Sequence, residues 1–275
     1  MLNAQNVKKD FPIFSNHDDL YYFDSASTTQ KPQAVIDSVS SFYSSSNANI
    51  HRALYKIGET ATDAYENVRI KIKSFLNVPD THEIVFTKGT TESINLVSNA
   101  WGRKYLKQKN SIIISEMEHH ANIVPWQMIA KEKQAEVKYI PLSEDGELAI
   151  NTLNKLIDEN TKIISIVHQS NVFGTINPVE KIIKIAKELN ILTLIDGAQS
   201  VPHFKVDIEE MGCDFFVFSG HKILGPTGVG VLIARKELLE SMDPFLGGGV
   251  MIDEVTMNGS TWNQIQLKFE SGTAN

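Results

Sequence analysis

Two short apolar runs, Lys162-Ile-Ile-Ser-Ile-Val167 and Ile191-Leu-Thr-Leu-Ile-Asp196, flank residues 178–189, whose apolar spacing is that of a helix. Runs of this length that are apolar on both sides suit strands buried on both faces. A helix of ten or more residues between two such strands makes a crossover, and crossovers join parallel neighbours. The same alternation continues toward the N-terminus. Strands are expected at Glu83-Ile-Val-Phe-Thr87, at Ser111-Ile-Ile-Ile-Ser115 and over 137–140, and helices over 32–43, 61–76, 90–101, 123–133 and 149–157. Toward the C-terminus, Asp214-Phe-Phe-Val-Phe218 and residues 228–233 read as further strands. The expected fold is therefore α/β, a mostly parallel sheet with helices on both faces.

Composition narrows the class. The 275 residues are 42% hydrophobic and 21% charged, ordinary values for a globular chain that buries a substantial core. A formal charge of -7 speaks against nucleic-acid binding, which usually needs a basic face. The single cysteine, Cys213, rules out an intramolecular disulfide and a cysteine-rich metal site, and it suits a reducing cytoplasm. Residues 1–24 have no continuous apolar segment, and no later run reaches the roughly 20 residues of a membrane span. A soluble protein with no membrane partner is expected.

The polar residues fall where chemistry would need them. Thr87-Lys-Gly-Thr-Thr91, Glu116 to His120, His168 to Asn171, Asp196 to Gln199 and Ser219 to Lys222 each follow an apolar strand directly. In open α/β sheets, ligands gather beyond the carboxyl ends of the strands. A lone lysine after a strand is usually a solvated loop residue. Lys222, however, sits among small and turn-forming residues that let the backbone approach a ligand, and partial burial would favour a neutral amine able to attack an aldehyde. Asp196 suits a metal ligand, a turn residue, the partner of a buried cation, or the acid that keeps a pyridoxal ring nitrogen protonated. Gly89-Thr90-Thr91 offers hydroxyls and free N–H groups for a phosphate, or plain helix capping by Thr90. His119 and His120 lack partners at a metal-binding spacing, so a ring stacked on a flat ligand is the better functional reading.

Taken in order, several motifs resemble the SufS-like group of cysteine desulfurases. They are Tyr22-Phe-Asp-Ser-Ala26, Asn49-Ile-His-Arg52, Thr87-Lys-Gly-Thr-Thr-Glu-Ser-Ile-Asn-Leu96, Glu116-Met-Glu-His-His-Ala-Asn-Ile-Val-Pro-Trp126, Asp196-Gly-Ala-Gln199, Phe218-Ser-Gly-His-Lys-Ile-Leu-Gly-Pro-Thr227 and Phe269-Glu-Ser-Gly-Thr273. These are class V aminotransferase-fold enzymes that depend on pyridoxal 5'-phosphate. The resemblance implies the large domain of the PLP-dependent transferase type I fold over residues 51–275, with residues 1–50 packed on it. It implies Lys222 and His119 as catalytic residues, Lys222 holding the cofactor and moving protons at the substrate Cα while His119 stacks on the ring. Asp196 would pair with the ring nitrogen, and Asn171 and Gln199 would lie near its hydroxyl. Thr90, Thr91, Ser219 and His221 would hold the phosphate, Thr273 would reach the phosphate of the other subunit of a homodimer, and His51 and Arg52 would stand at the substrate entrance.

The implied reaction turns L-cysteine into L-alanine and passes its sulfur on as a persulfide, through a sulfur-acceptor protein, for iron-sulfur cluster assembly. The resemblance also implies that most of the small C-terminal domain, with its persulfide-forming cysteine, lies beyond Asn275. Cys213, just before an apolar strand, reads as an inert core residue. A truncated homologue that binds the cofactor and serves as a dimerisation partner, or a related PLP lyase or aminotransferase, are the alternatives.

Overall fold

The computed structural model describes residues 3–17, 19–51 and 54–274. Its centre is a seven-stranded sheet formed by β1 (His82–Thr87), β2 (Ser111–Ser115), β3 (Glu136–Ile140), β4 (Thr161–Val167), β5 (Leu192–Asp196), β6 (Phe215–Ser219) and β7 (Gly230–Arg235), in the order β1-β7-β6-β5-β4-β2-β3. Strands β3, β2, β4, β5 and β6 pair in parallel, and β7 runs antiparallel to both β6 and β1. The reversal of β7 has a local cause. Residues 220–229 hold a turn rich in Gly and Pro, too short and too broken to supply a crossover helix, so the chain can only fold back.

Because side chains alternate along a strand, an unbroken apolar run feeds two separate cores. Phe215 and Val217 pack on one side of the sheet with Ile112, Ile114 and Leu194. Phe216 and Phe218 pack on the other with Ile113, Ile164 and Ile195. The helix Val179–Glu188 covers the second side with Val179, Ile182, Ile183 and Ala186. The first is covered by the helix Thr90–Leu96, the π turn Val97–Trp101 that continues it, and the helix Val124–Lys133.

Some element limits differ from the sequence expectation. The helix expected over 61–76 begins a turn earlier, as Lys56–Phe75, because Gly58 is buried and packing outweighs its poor helix propensity. The segment 149–157 splits into a 3-10 turn, Ile150–Thr152, and a single turn, Leu153–Leu156, in keeping with the weak helix formers Asn151, Thr152 and Asn154. The segment 32–43 ends as Gln33–Ser41 followed by the π turn Phe42–Ser46. A separate exposed hairpin, β8 (Ile252–Thr256) and β9 (Gly259–Trp262), precedes residues 264–274, which return to the sheet.

There a buried ion pair holds the returning segment. Glu270 accepts from Arg69 Nη1 at 2.9 Å, Arg69 Nη2 at 3.1 Å, Tyr65 Oη at 3.1 Å and the Phe86 N–H at 2.8 Å. No helix among the described residues is long and apolar enough to cross a membrane. Phe216 is fully buried, so Phe216→Ala is expected to cost about 3–5 kcal/mol, measured by urea unfolding.

Candidate active site

The carboxyl ends of β1, β2, β4, β5 and β6 lie on one edge of the sheet, and a cavity of about 540 Å³ opens there. Thr90, Thr91, His119, Asn171, Asp196, Gln199, Ser219, His221 and Lys222 all line it. Phe23, Asp24, Ala26 and Ser27 of the N-terminal segment close another side.

Two glycines allow the close approaches that this edge needs. A Cβ on Gly230, in β7, would fall 2.3 Å from Gly89 Cα, so the bare backbone lets β7 pass close to the start of the helix Thr90–Leu96, next to Ser219, the register partner of Gly230 on β6. A Cβ on Gly197 would meet Phe216 Cζ at 2.0 Å, so this glycine lets the turn between Asp196 and Gln199 lie down on β6.

Asp196, at the end of β5, is 2% exposed. Its Oδ1 accepts from the Ala198 N–H at 2.9 Å, and Oδ2 has no hydrogen-bond partner among the described residues. Burial pushes its carboxyl above the usual range, while the Ala198 N–H and the charge of Lys222 pull it back. Lys222 ends the 3-10 turn Gly220–Lys222 that follows β6. Burial lowers its amine below the ordinary lysine value, against the pull of Asp196. Both groups are thereby moved toward neutrality, which makes Lys222 a better nucleophile than a solvated lysine.

His119 caps the 3-10 turn His120–Asn122, its Nδ1 accepting from the Ala121 N–H at 3.1 Å. That bond leaves the proton of the neutral ring on Nε2. Burial, then the charges of Lys222 and His120, hold this imidazole below its usual value. Thr90 does not cap its helix. Gly89 occupies the cap position, and the Thr90 N–H and Oγ1 instead meet Ser219 Oγ at 2.8 and 2.7 Å, tying the helix start to the end of β6.

The N-terminal strip is a part of the site to which the sequence reading assigns no role. The carbonyl of His221 accepts from the Thr29 N–H at 3.0 Å and from Lys31 Nζ at 2.8 Å, and Gln199 Nε2 donates to Ala26 O at 2.6 Å. The motif Tyr22-Phe-Asp-Ser-Ala26 is the available signal. Two of the expected residues lie elsewhere. Thr273 lines a second cavity of about 310 Å³, with Tyr65, Phe86, Lys88 and Glu92. His51 packs edge-on against Tyr65, ring centroids 5.7 Å apart, with Nε2 3.6 Å from Glu66. Arg52 lies outside the described residues.

Cys213 is buried, and burial raises its thiol well above the ordinary range. Among the described residues, no group of three or more His, Cys, Asp and Glu side chains is arranged to hold a metal ion.

With this geometry in place, comparison with known proteins is informative. The aminotransferase class-V family matches residues 21–275. A probable cysteine desulfurase of Halalkalibacterium halodurans is 50% identical over 275 residues, covering 99% of this chain and 68% of the relative. A cysteine desulfurase of Salmonella typhimurium is 47% identical, with the same coverage. The solved cysteine desulfurase CsdA of Escherichia coli superposes with a TM-score of 0.91 at 40% identity, over 100% of this chain and 68% of that one. That of Thermococcus onnurineus, solved in its apo form, gives 0.93 at 34% identity, with the same coverage. The chain belongs to the aminotransferase class-V family, and its fold is the one these cysteine desulfurases share.

The buried acids set a pH dependence. Burial pushes Glu118, beside His119, up to about 8, opposed by hydrogen bonds from Ser115, Val167 and Asn122 and reinforced by Asp196. Between the unfolded value of about 4.3 and about 8, the folded chain holds a proton that the unfolded chain has released, so stability falls as pH rises. The melting temperature is expected to drop across this window, and Glu118→Gln is expected to flatten the fall while leaving the contribution of Asp196.

Proposed function

We propose that this chain binds pyridoxal 5'-phosphate and acts on L-cysteine as a cysteine desulfurase, releasing L-alanine and handing sulfur to a protein thiol as a persulfide, for iron-sulfur cluster assembly. The observation that carries the proposal is the pairing, in one cavity, of a buried carboxylate that leaves one oxygen unpartnered with a lysine pushed toward its neutral form. The donor set fits the cofactor. Asp196 Oδ2 suits a protonated ring nitrogen, whose positive charge would favour the ionised form of the acid. The start of the helix at Thr90 and Thr91, with Ser219 and His221, suits a phosphate.

When bound, pyridoxal phosphate supplies an aldehyde carbon for a lysine amine and a ring that accepts the electron pair left at the substrate Cα. The chain's residues do the rest. Lys222 would hold the cofactor and would move the proton at the substrate Cα. His119 would lay its flat ring on the cofactor face, and Asn171 and Gln199, which line the same cavity, would lie near the ring hydroxyl. The substrate's Cβ–S bond would break as an acceptor thiolate attacks the sulfur and forms the persulfide S–S bond, the electron pair staying with carbon and a proton being taken up at Cβ to give the methyl group of alanine.

Cys213 is not that thiolate, because it is sealed in the core with a raised thiol value. It is also the single cysteine of the 275 residues. The place of Thr273 in the second cavity supports a role at the partner's phosphate in a homodimer, and His51, packed on Tyr65 of the same cavity, belongs with that shared edge. His51 and Arg52 are proposed at the substrate entrance. We place the protein in the cytoplasm, where its sulfur-acceptor protein would also be, with neither nucleic acid nor membrane as a partner.

The purified chain mixed with pyridoxal phosphate is expected to develop a visible absorbance band that Lys222→Ala abolishes. A band unchanged in that variant overturns the assignment. Sulfide release from cysteine by this chain alone is expected to be slight, whereas rapid release that depends on Cys213, lost in Cys213→Ser, would show the core thiol to be the acceptor.

A further inference from the structure

Glu118 is 7% exposed and immediately precedes His119, yet it does not line the cavity and the chemistry above does not use it. Its carboxyl is the centre of a closed set of hydrogen bonds. Ser115 Oγ and the Val167 N–H donate to Oε1, at 2.5 and 3.0 Å, and Asn122 Nδ2 donates to Oε2 at 2.7 Å. Asn122 Oδ1 in turn accepts from Trp126 Nε1 at 2.9 Å and from Ser165 Oγ at 2.6 Å.

These partners stand on the segments that carry the site. Ser115 ends β2 and leads into the turn bearing His119. Val167 faces Asp196 in the β4–β5 register, and the next residue, His168, donates its N–H to Asp196 O at 2.9 Å. One carboxyl therefore joins the backbone that presents the imidazole to the backbone that presents the buried acid.

We propose that Glu118 is a positioning residue, which sets His119 and Asp196 in place against the bound pyridoxal ring; this rests on the cofactor assignment made above. The network has a direction that only a carboxyl satisfies. Asn122 must donate to residue 118, because its oxygen already accepts two bonds, and the backbone of Val167 can only donate. An amide at position 118 turns an NH2 group against one of these donors whichever way it is oriented, leaving a buried N–H unpaired. The β4 end or the His119 turn then shifts to satisfy it, and binding the ring must reverse that shift.

The test is an absorbance titration with pyridoxal phosphate on wild type, Glu118→Gln, Lys222→Ala and Leu239→Ala. Leu239 is a fully buried core residue in the helix Lys236–Ser241 and takes no part in the network, so its variant controls for lost stability. Glu118→Gln is expected to keep wild-type far-UV circular dichroism, raise the Kd about tenfold, the effect of one unpaired buried donor, and shift the band. Leu239→Ala is expected to melt lower with Kd and band unchanged.

A wild-type Kd and band in Glu118→Gln overturn the proposal, as does an equal change in Leu239→Ala. Should Glu118→Gln fail to fold, Ser165→Ala slackens the same network more gently and is expected to raise the Kd a few-fold. An unchanged Kd there overturns the proposal as well. A wild-type chain that forms no Lys222-dependent band overturns the cofactor assignment itself, and this inference with it.

Discussion

A sheet apolar on both faces leaves polar side chains only its ends. Inside either core an unpaired charge or hydroxyl would cost several kcal/mol, so the strands of this chain carry Ile, Val, Leu and Phe along most of their length and release their polar residues at the carboxyl edge. Since β1, β2, β4, β5 and β6 point the same way, those releases converge. Residues as far apart in sequence as Thr90 and Ser219 then share a hydrogen bond at 2.8 Å. The cavity, the phosphate-suited helix start and the meeting of Asp196 and Lys222 in one cavity all depend on this arrangement.

Burial at that edge then does chemical work. A carboxyl and an amine in water would both be charged at neutral pH, but Asp196 and Lys222 are each displaced toward neutrality by desolvation, and each resists the displacement of the other. The same burial, with Lys222 and His120 nearby, lowers the imidazole of His119. The site thus eases loss of a proton from the nucleophile, and offers a flat ring and an acid whose ionised form a positive ligand would favour. Glu118, which immediately precedes His119, is buried as well, and burial raises its carboxyl as it raises that of Asp196.

Much of this is legible in the chain. Apolar runs of four to six residues mark the central strands, because burial on both faces leaves no polar alternation to confuse the signal. Lys222, Asp196 and His119 stand out because each follows such a run. The helix limits are less legible, since Gly58 and the Asn-rich segment near 151 are decided by packing and capping that spacing does not express. The hairpin of β8 and β9 is exposed and lacks a buried alternation, and its local signal is the Asn258-Gly259 pair.

The sequence by itself determined the class of fold, the order of its strands along the chain and the residues at their ends, because these follow from side-chain polarity and local spacing. Tertiary structure alone decided which ends meet. It closed the cavity with Phe23 to Ser27, tied His221 to Thr29 and Lys31, sent Thr273 to a second cavity beside Tyr65, and sealed Cys213 in the core. These outcomes depend on strand order and on close backbone approaches such as Gly89 to Gly230, which bring together residues that no local pattern relates.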